Sequence, residues 1–155
     1  MAFYVADAHC DYLYGAVQSG FELDEPKRDQ VITLDNLKTG HVALQFFAAW
    51  TDTTLRVSPL HQCIAMIDAY HRMLGAHPEL VPFTKDFKPA SGKIATVLTV
   101  EGGEAIDGSL AVLRVLHGLG VRAMTLTWNE NNELAGAATA RNNRGLTTLG
   151  RRVID

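Results

Sequence analysis

The chain of 155 residues is poor in cysteine: it has two, Cys10 and Cys63, and neither sits in a Cys-x-x-Cys pair. Two thiols make no disulfide framework, and a reducing compartment is the default such usage implies. Runs of basic residues are missing too. The net charge is −3, and Arg141, Arg144, Arg151 and Arg152 cluster only loosely. That excludes the basic stripe that tracks nucleic-acid phosphates, so no nucleic-acid partner is expected. No apolar run approaches the roughly 20 residues that span a bilayer, so no transmembrane segment is expected. No basic segment leads into an apolar core as a signal peptide would, and a cytoplasmic location follows as the expectation. No Gly-x-Gly-x-x-Gly follows the first strand, which counts against a dinucleotide-binding sheet. What is present is an ordinary globular composition, 47% hydrophobic and 20% charged, with the length of one domain over residues 1–155.

The chain is organised around its first stretch, Phe3-Tyr4-Val5-Ala6-Asp7-Ala8-His9-Cys10-Asp11. It reads as a short apolar strand over residues 2–8 that runs into His-x-Asp. Strand alternation turns His9 and Asp11 to one side and Cys10 to the other, where Cys10 reads as a small buried residue. An imidazole beside a carboxylate can hold a divalent metal. The competing reading makes them turn and helix-start residues.

Residues 11–20 suit a short helix closed by Gly20, and 21–32 a polar loop. Residues 33–38 make about one helical turn, ended by Gly40. His41 to Trp50 is nearly all apolar, as in a strand buried on both faces. Ser58-Pro59 is a good helix start, and Leu60, Cys63, Ile64, Ile67, Tyr70, Met73 and Leu74 form one apolar stripe behind it. His61, His71 and His77 read as surface residues. Residues 76–92 form a connection. Ile94–Val100 is the third strand and ends at Glu101-Gly102-Gly103-Glu104. Asp107 or Ser109 caps a helix with Leu110, Leu113, Val115, Leu116 and Leu119 at its apolar positions. Val121–Thr127 is the fourth strand, ending at Trp128-Asn129. A long loop over 129–144 leads to a helix from Gly145 to Asp155, capped near Thr147 or Thr148.

Alternating strands and helices with buried strands imply a parallel α/β sheet. An open doubly wound sheet and a (β/α)₈ TIM-type barrel both fit. Polar residues stand at the C-terminal end of strand after strand: His9 and Asp11, Trp50 and Asp52, Glu101, Asn129. Barrel active sites lie there, so the chain reads as about the first four βα units of a barrel, a half barrel. The last helix has no stop signal, and the N-terminal half of a longer protein is expected. Glu101 could be a plain turn residue before two glycines. Aimed into the barrel mouth, it could instead bridge two metal ions whose first ligands are His9 and Asp11. Such a pair activates water and polarises a carbonyl, as amide hydrolysis requires.

His9-Cys10-Asp11, Gln45-Phe46-Phe47, Glu101-Gly102-Gly103, Leu126-Thr127-Trp128-Asn129 and Gly145-Leu146-Thr147-Thr148-Leu149-Gly150 occur in this order. As a set they resemble the membrane (renal) dipeptidase family of the amidohydrolase superfamily. The resemblance implies a barrel metallopeptidase that hydrolyses dipeptides at a two-zinc (Zn2+) centre. His9 and Asp11 match the ligands of one zinc, and Glu101 matches the bridging, catalytic carboxylate. Trp50, Trp128 and Asn129 are the candidate substrate-binding residues, and both tryptophans also read as ordinary core residues. The family's remaining histidine ligands, its carboxylate-gripping Arg and its catalytic Asp come later and match nothing here.

Two departures follow from the same comparison. Animal members carry a His where this chain has Trp128, and a Tyr where it has Trp50. An indole N–H still donates a hydrogen bond, but it cannot copy a protonated imidazole. Other readings are a different metal-dependent barrel hydrolase, and a non-catalytic half barrel that self-associates. Residues 1–155 alone should turn over little or no dipeptide. Two open sheet edges should also drive them to associate, so a homo-oligomer is expected.

Overall fold

The computed structural model describes residues 3–142 and 144–155. Its elements in chain order are β1 (Val5–Asp7), α1 (Tyr12–Ser19), α2 (Leu34–Thr39), β2 (Val42–Trp50), α3 (Pro59–Ala76), β3 (Leu80–Pro82), β4 (Ile94–Glu101), α4 (Leu110–Gly118), β5 (Val121–Thr125) and α5 (Thr148–Ile154). Among the described residues all strand pairs are parallel. β1 lies beside β2, and β2 beside β4. The far edge of β4 is shared: β3 pairs with Ile94–Thr96, and β5 with its later part, Leu98–Glu101. The four expected βα units are present in sequential order.

Local chemistry accounts for the helix starts. Ser58 accepts from the His61 N–H and Pro59 opens α3, Thr33 caps α2, Ser109 caps α4, and Thr147 caps α5. The core lies between the sheet and the helices α1 and α3. Phe47, fully buried, meets Tyr12 of α1 edge-on at 5.9 Å and Tyr70 of α3 at 6.2 Å. The Tyr70 hydroxyl shares a 2.6 Å hydrogen bond with Thr96 of β4. Emptying the Phe47 site to Ala would cost about 3–5 kcal/mol.

Several sequence expectations need correction. The first strand is shorter than residues 2–8, and residue 2 lies outside the described residues. β3 falls inside the stretch expected to be a connection; three residues ending in Pro82, which has no N–H, give no strand signal. The fourth strand ends at Thr125, not Thr127. His77 is buried, not on the surface: it closes α3 with its N–H on Met73 O, beside a hollow that it lines with Tyr12, Phe21 and Met73. Ile64 of the α3 stripe is 40% exposed, and Val115 of α4 is 58% exposed. The stretch 129–144 is irregular as expected, yet it is packed: Leu134 and Ala137 are fully buried and Ala135 bridges Leu146.

Candidate metal centre

Three side chains from distant parts of the chain meet at the C-terminal ends of β1 and β4. β1 stops at Asp7, so His9 and Asp11 lie in the turn before α1 rather than in the strand. Their convergence therefore comes from the turn, not from strand alternation. Asp11 occupies the position before α1, where an Asp normally accepts a backbone N–H. Its carboxylate makes no such cap. Instead Asp11 Oδ1 stands 3.4 Å from His9 Nε2, and Glu101 Oε2 stands 3.4 Å from the same nitrogen. One ligand atom from each of the three lies within 4.8 Å of the others.

The two 3.4 Å separations are wider than charge-assisted hydrogen bonds and compatible with a shared ion. Charge-assisted N–H···O bonds are usually about 2.7–2.9 Å. Two ligand atoms each about 2.0–2.2 Å from one tetrahedral zinc ion stand roughly 3.4 Å apart. One imidazole nitrogen and two carboxylates are also a zinc-type donor set. His9 and Asp11 are half or more exposed, whereas the Glu101 side chain is 20% exposed. Burial, the largest effect, pushes the Glu101 carboxyl above the usual carboxylate range; His9 pulls it down, and Asp11 and Glu104 push it up.

The two glycines after Glu101 are there because of space and backbone conformation. Gly102 has φ +99°, and a Cβ on it would collide with the Glu104 carboxylate. A Cβ on Gly103 would collide with Leu134 and with Leu126 O. The Gly102 N–H donates to Thr125 Oγ1 at 2.9 Å and the Gly103 N–H to Leu126 O at 3.2 Å, which ties the turn to β5. The same turn is held from the long loop by Asn132. Its Nδ2 donates to Glu104 Oε2 at 2.8 Å and to Leu126 O at 2.7 Å, while its Oδ1 accepts from the N–H groups of Leu134 and Ala135. Sequence reasoning assigned Asn132 and Glu104 no role. The signal was the run Asn129-Glu130-Asn131-Asn132, since Asn side chains replace backbone partners in turns.

Trp50 is the ladder partner of Glu101, and Thr125 is its partner on the other side. All three therefore share the face opposite α1 and α3. An open cavity of about 250 Å³ on this face is lined by His9, Phe46, Thr99, Glu101 and Thr125 among others. Larger hollows, of about 340 and 370 Å³, are lined by other residues and hold none of the three ligand candidates. Trp128 lies edge-to-face on Trp50 at 5.0 Å and is 42% exposed; Tyr14 meets Trp50 at 4.9 Å. The Tyr14 hydroxyl donates to Asp52 Oδ2 at 3.3 Å. Thr54 holds the Asp52 carboxyl below its usual range through its hydroxyl and its N–H. Asn129 is exposed, and its backbone carbonyl accepts from Thr139. The structure thus joins His9, Asp11 and Glu101, sets Trp50 beside Glu101 with Trp128 against Trp50, and leaves Asn129 in the loop.

Comparison with known proteins follows the same lines. The sequence model of the membrane dipeptidases, peptidase family M19, matches residues 1–155. Dipeptidase 3 of Rattus norvegicus is 36% identical over 131 residues, which is 79% of this chain and 27% of that protein. A crystal structure of dipeptidase AC, an M19 metallopeptidase, superposes with a TM-score of 0.82 at 21% identity, covering 99% of this chain and 53% of that one. A metallopeptidase from Rhodobacter sphaeroides, liganded with a phosphinate mimic of L-Ala-D-Ala, gives 0.85 at 19%, covering 99% and 55%. The chain thus spans about half of these solved structures and about a quarter of the curated relative.

Proposed function

The chain belongs to the membrane dipeptidase family, and from that premise we propose that it carries half of a zinc-dependent dipeptidase site. His9 and Asp11 are proposed as ligands of one zinc ion, and Glu101 as the carboxylate that bridges to a second. The observation that carries this reading is the meeting of His9, Asp11 and Glu101 at ligand spacing, with Asp11 withheld from capping α1. Bound zinc would polarise the amide carbonyl and make water a nucleophile near neutral pH.

The chain's own residues supply orientation. The Gly102 bond to Thr125 holds the strand end that carries Glu101. Trp50 and Trp128 form an aromatic wall beside it, against which a dipeptide side chain would rest. The Trp128 indole N–H would serve as a donor to substrate. Three ligands and a wall do not complete a two-ion site, so the remaining ligands and the proton donor for the leaving amine would come from beyond these elements. Residues 1–155 alone would then be near inactive.

Self-association is the second part of this reading. Phe3 and Tyr4, leading into β1, are 67% and 49% exposed beside an edge whose one partner among the described residues is β2. Among the described residues no helix is long and apolar enough to cross a membrane. The test is hydrolysis of an Ala-Ala dipeptide by the full-length protein, before and after chelation and with zinc restored. Activity that disappears on chelation and returns with zinc supports the proposal; activity indifferent to chelation refutes it.

A further inference from the structure

Gln45 is a fully buried amide within the otherwise apolar β2, and the chemistry above gives it no part. It is the ladder partner of Asp7, the last residue of β1. Gln45 lies in the same strand row as Phe47, on the face covered by α1 and α3. Its Nε2 donates to Asp7 Oδ2 at 2.9 Å and to Phe46 O at 3.1 Å. Two acceptors on one side fix which end of the amide is nitrogen. Its Oε1 is left buried without a partner among the described residues. A buried, half-satisfied amide is costly in a strand that could carry an apolar residue, so the bond it does make is the point of interest.

The other oxygen of Asp7 accepts the His9 backbone N–H at 3.3 Å, an Asx-type turn. This turn decides direction. Continued alternation would send His9 to the side of Asp7, toward the helices. The imidazole instead reaches Glu101, whose ladder partner Trp50 lies in the opposite row of β2.

We propose that Asp7 and Gln45 are a positioning pair for His9: Gln45 fixes the Asp7 carboxylate, and that carboxylate fixes the turn that swings His9 to Glu101 and Asp11. Neither touches the reacting atoms. The consequence for metal rests on the reading under Proposed function, whereas the geometry stands without it. Partners that orient a metal ligand typically change metal affinity by about 10–100-fold when removed.

The test uses the full-length protein and three variants. Gln45→Met keeps the length of the side chain and loses the donor. Asp7→Ala loses both acceptors, and Asp7→Asn keeps one oxygen for the His9 N–H but turns an amide NH2 toward the Gln45 donor. Zinc affinity is measured by competition with a chromophoric chelator, and crystal structures are determined after zinc is stripped. Expected are affinities at least about tenfold weaker for all three variants. In the stripped crystals His9 has left Glu101 in all three. A His9 that keeps its place in both Gln45→Met and Asp7→Ala overturns the inference, whatever the metal does. A displaced His9 in a protein whose wild type takes no zinc upholds the positioning role and overturns the metal reading instead.

Discussion

Trp50 and Glu101 are direct partners across the β2–β4 ladder. An indole thus stands beside the carboxylate on the face opposite α1 and α3, and Trp128 extends the wall by lying edge-on against it. Two indoles are bulkier and less polar than the Tyr and His that the family resemblance places at these positions.

Trp128→Ala should therefore raise KM for a dipeptide with an apolar side chain in the full-length protein by about tenfold, the equivalent of one aromatic contact. kcat should change less, because the wall holds the substrate in its ground state as well as in the transition state. Steady-state kinetics on Ala-Ala and Phe-Ala dipeptides check this. An unchanged KM for both removes Trp128 from the binding wall.

The Glu101 carboxyl is raised by burial in the folded, metal-free chain. A raised folded value means that the unfolded chain releases this proton first. The group adds nothing below the unfolded value of about 4.3. It then weakens the fold as pH rises toward and past the raised folded value. In zinc-free buffer, Glu101→Gln should melt higher than wild type near pH 7, and the gap should close near pH 4. The charged groups that act on Glu101 are His9, Asp11 and Glu104, so the comparison is made between the two proteins at each pH. A gap that widens on acidification contradicts the burial argument.

Both thiols are buried, and burial pushes Cys10 and Cys63 up to about 12. Thiolate is the reactive form. An aromatic disulfide reagent at pH 8 should find no fast-reacting thiol in the native protein within these residues and two after denaturation. One thiol that reacts at once in the native state would place Cys10 or Cys63 outside the core.

The loop after β5 is fastened to the Glu101 turn by Asn132. Asn132→Ala removes two donated and two accepted bonds and should lower unfolding free energy by about 2–4 kcal/mol. Gly103→Ala, which drives a methyl into Leu134 and Leu126 O, should cost about 1–3 kcal/mol. Urea denaturation measures both. Losses under about 0.5 kcal/mol, the size of an ordinary surface change, would show the loop to be loosely attached.

The parts of this structure readable from the sequence are those fixed by local pattern. The apolar runs of β2 and β4 and the Ser58-Pro59 start of α3 each sit where their chemistry dictates. So does the rule that residues ending parallel strands gather at one end, which brought His9, Asp11 and Glu101 together. The reason given for His9 and Asp11 facing one way was not the operative one. Strand alternation would have kept His9 beside Asp7; the Asx turn on Asp7 moves it. That turn depends on a partner, Gln45, whose placement comes from the β1–β2 register, and register is a tertiary property. The same holds for Asn132, which looked like loop and fastens the Glu101 turn, and for Leu134, which packs as core. β3 was hidden for a local reason, its length and Pro82.

The most direct test of the central claim is zinc content, by elemental analysis of the purified full-length protein with and without Glu101→Ala. Expected are about two zinc ions per wild-type chain, as in a two-metal hydrolase, and less than one in the variant that loses the shared carboxylate. A wild-type protein free of zinc after purification in zinc-supplemented buffer, or a variant that keeps the full complement, contradicts the assignment of His9, Asp11 and Glu101 as its metal centre.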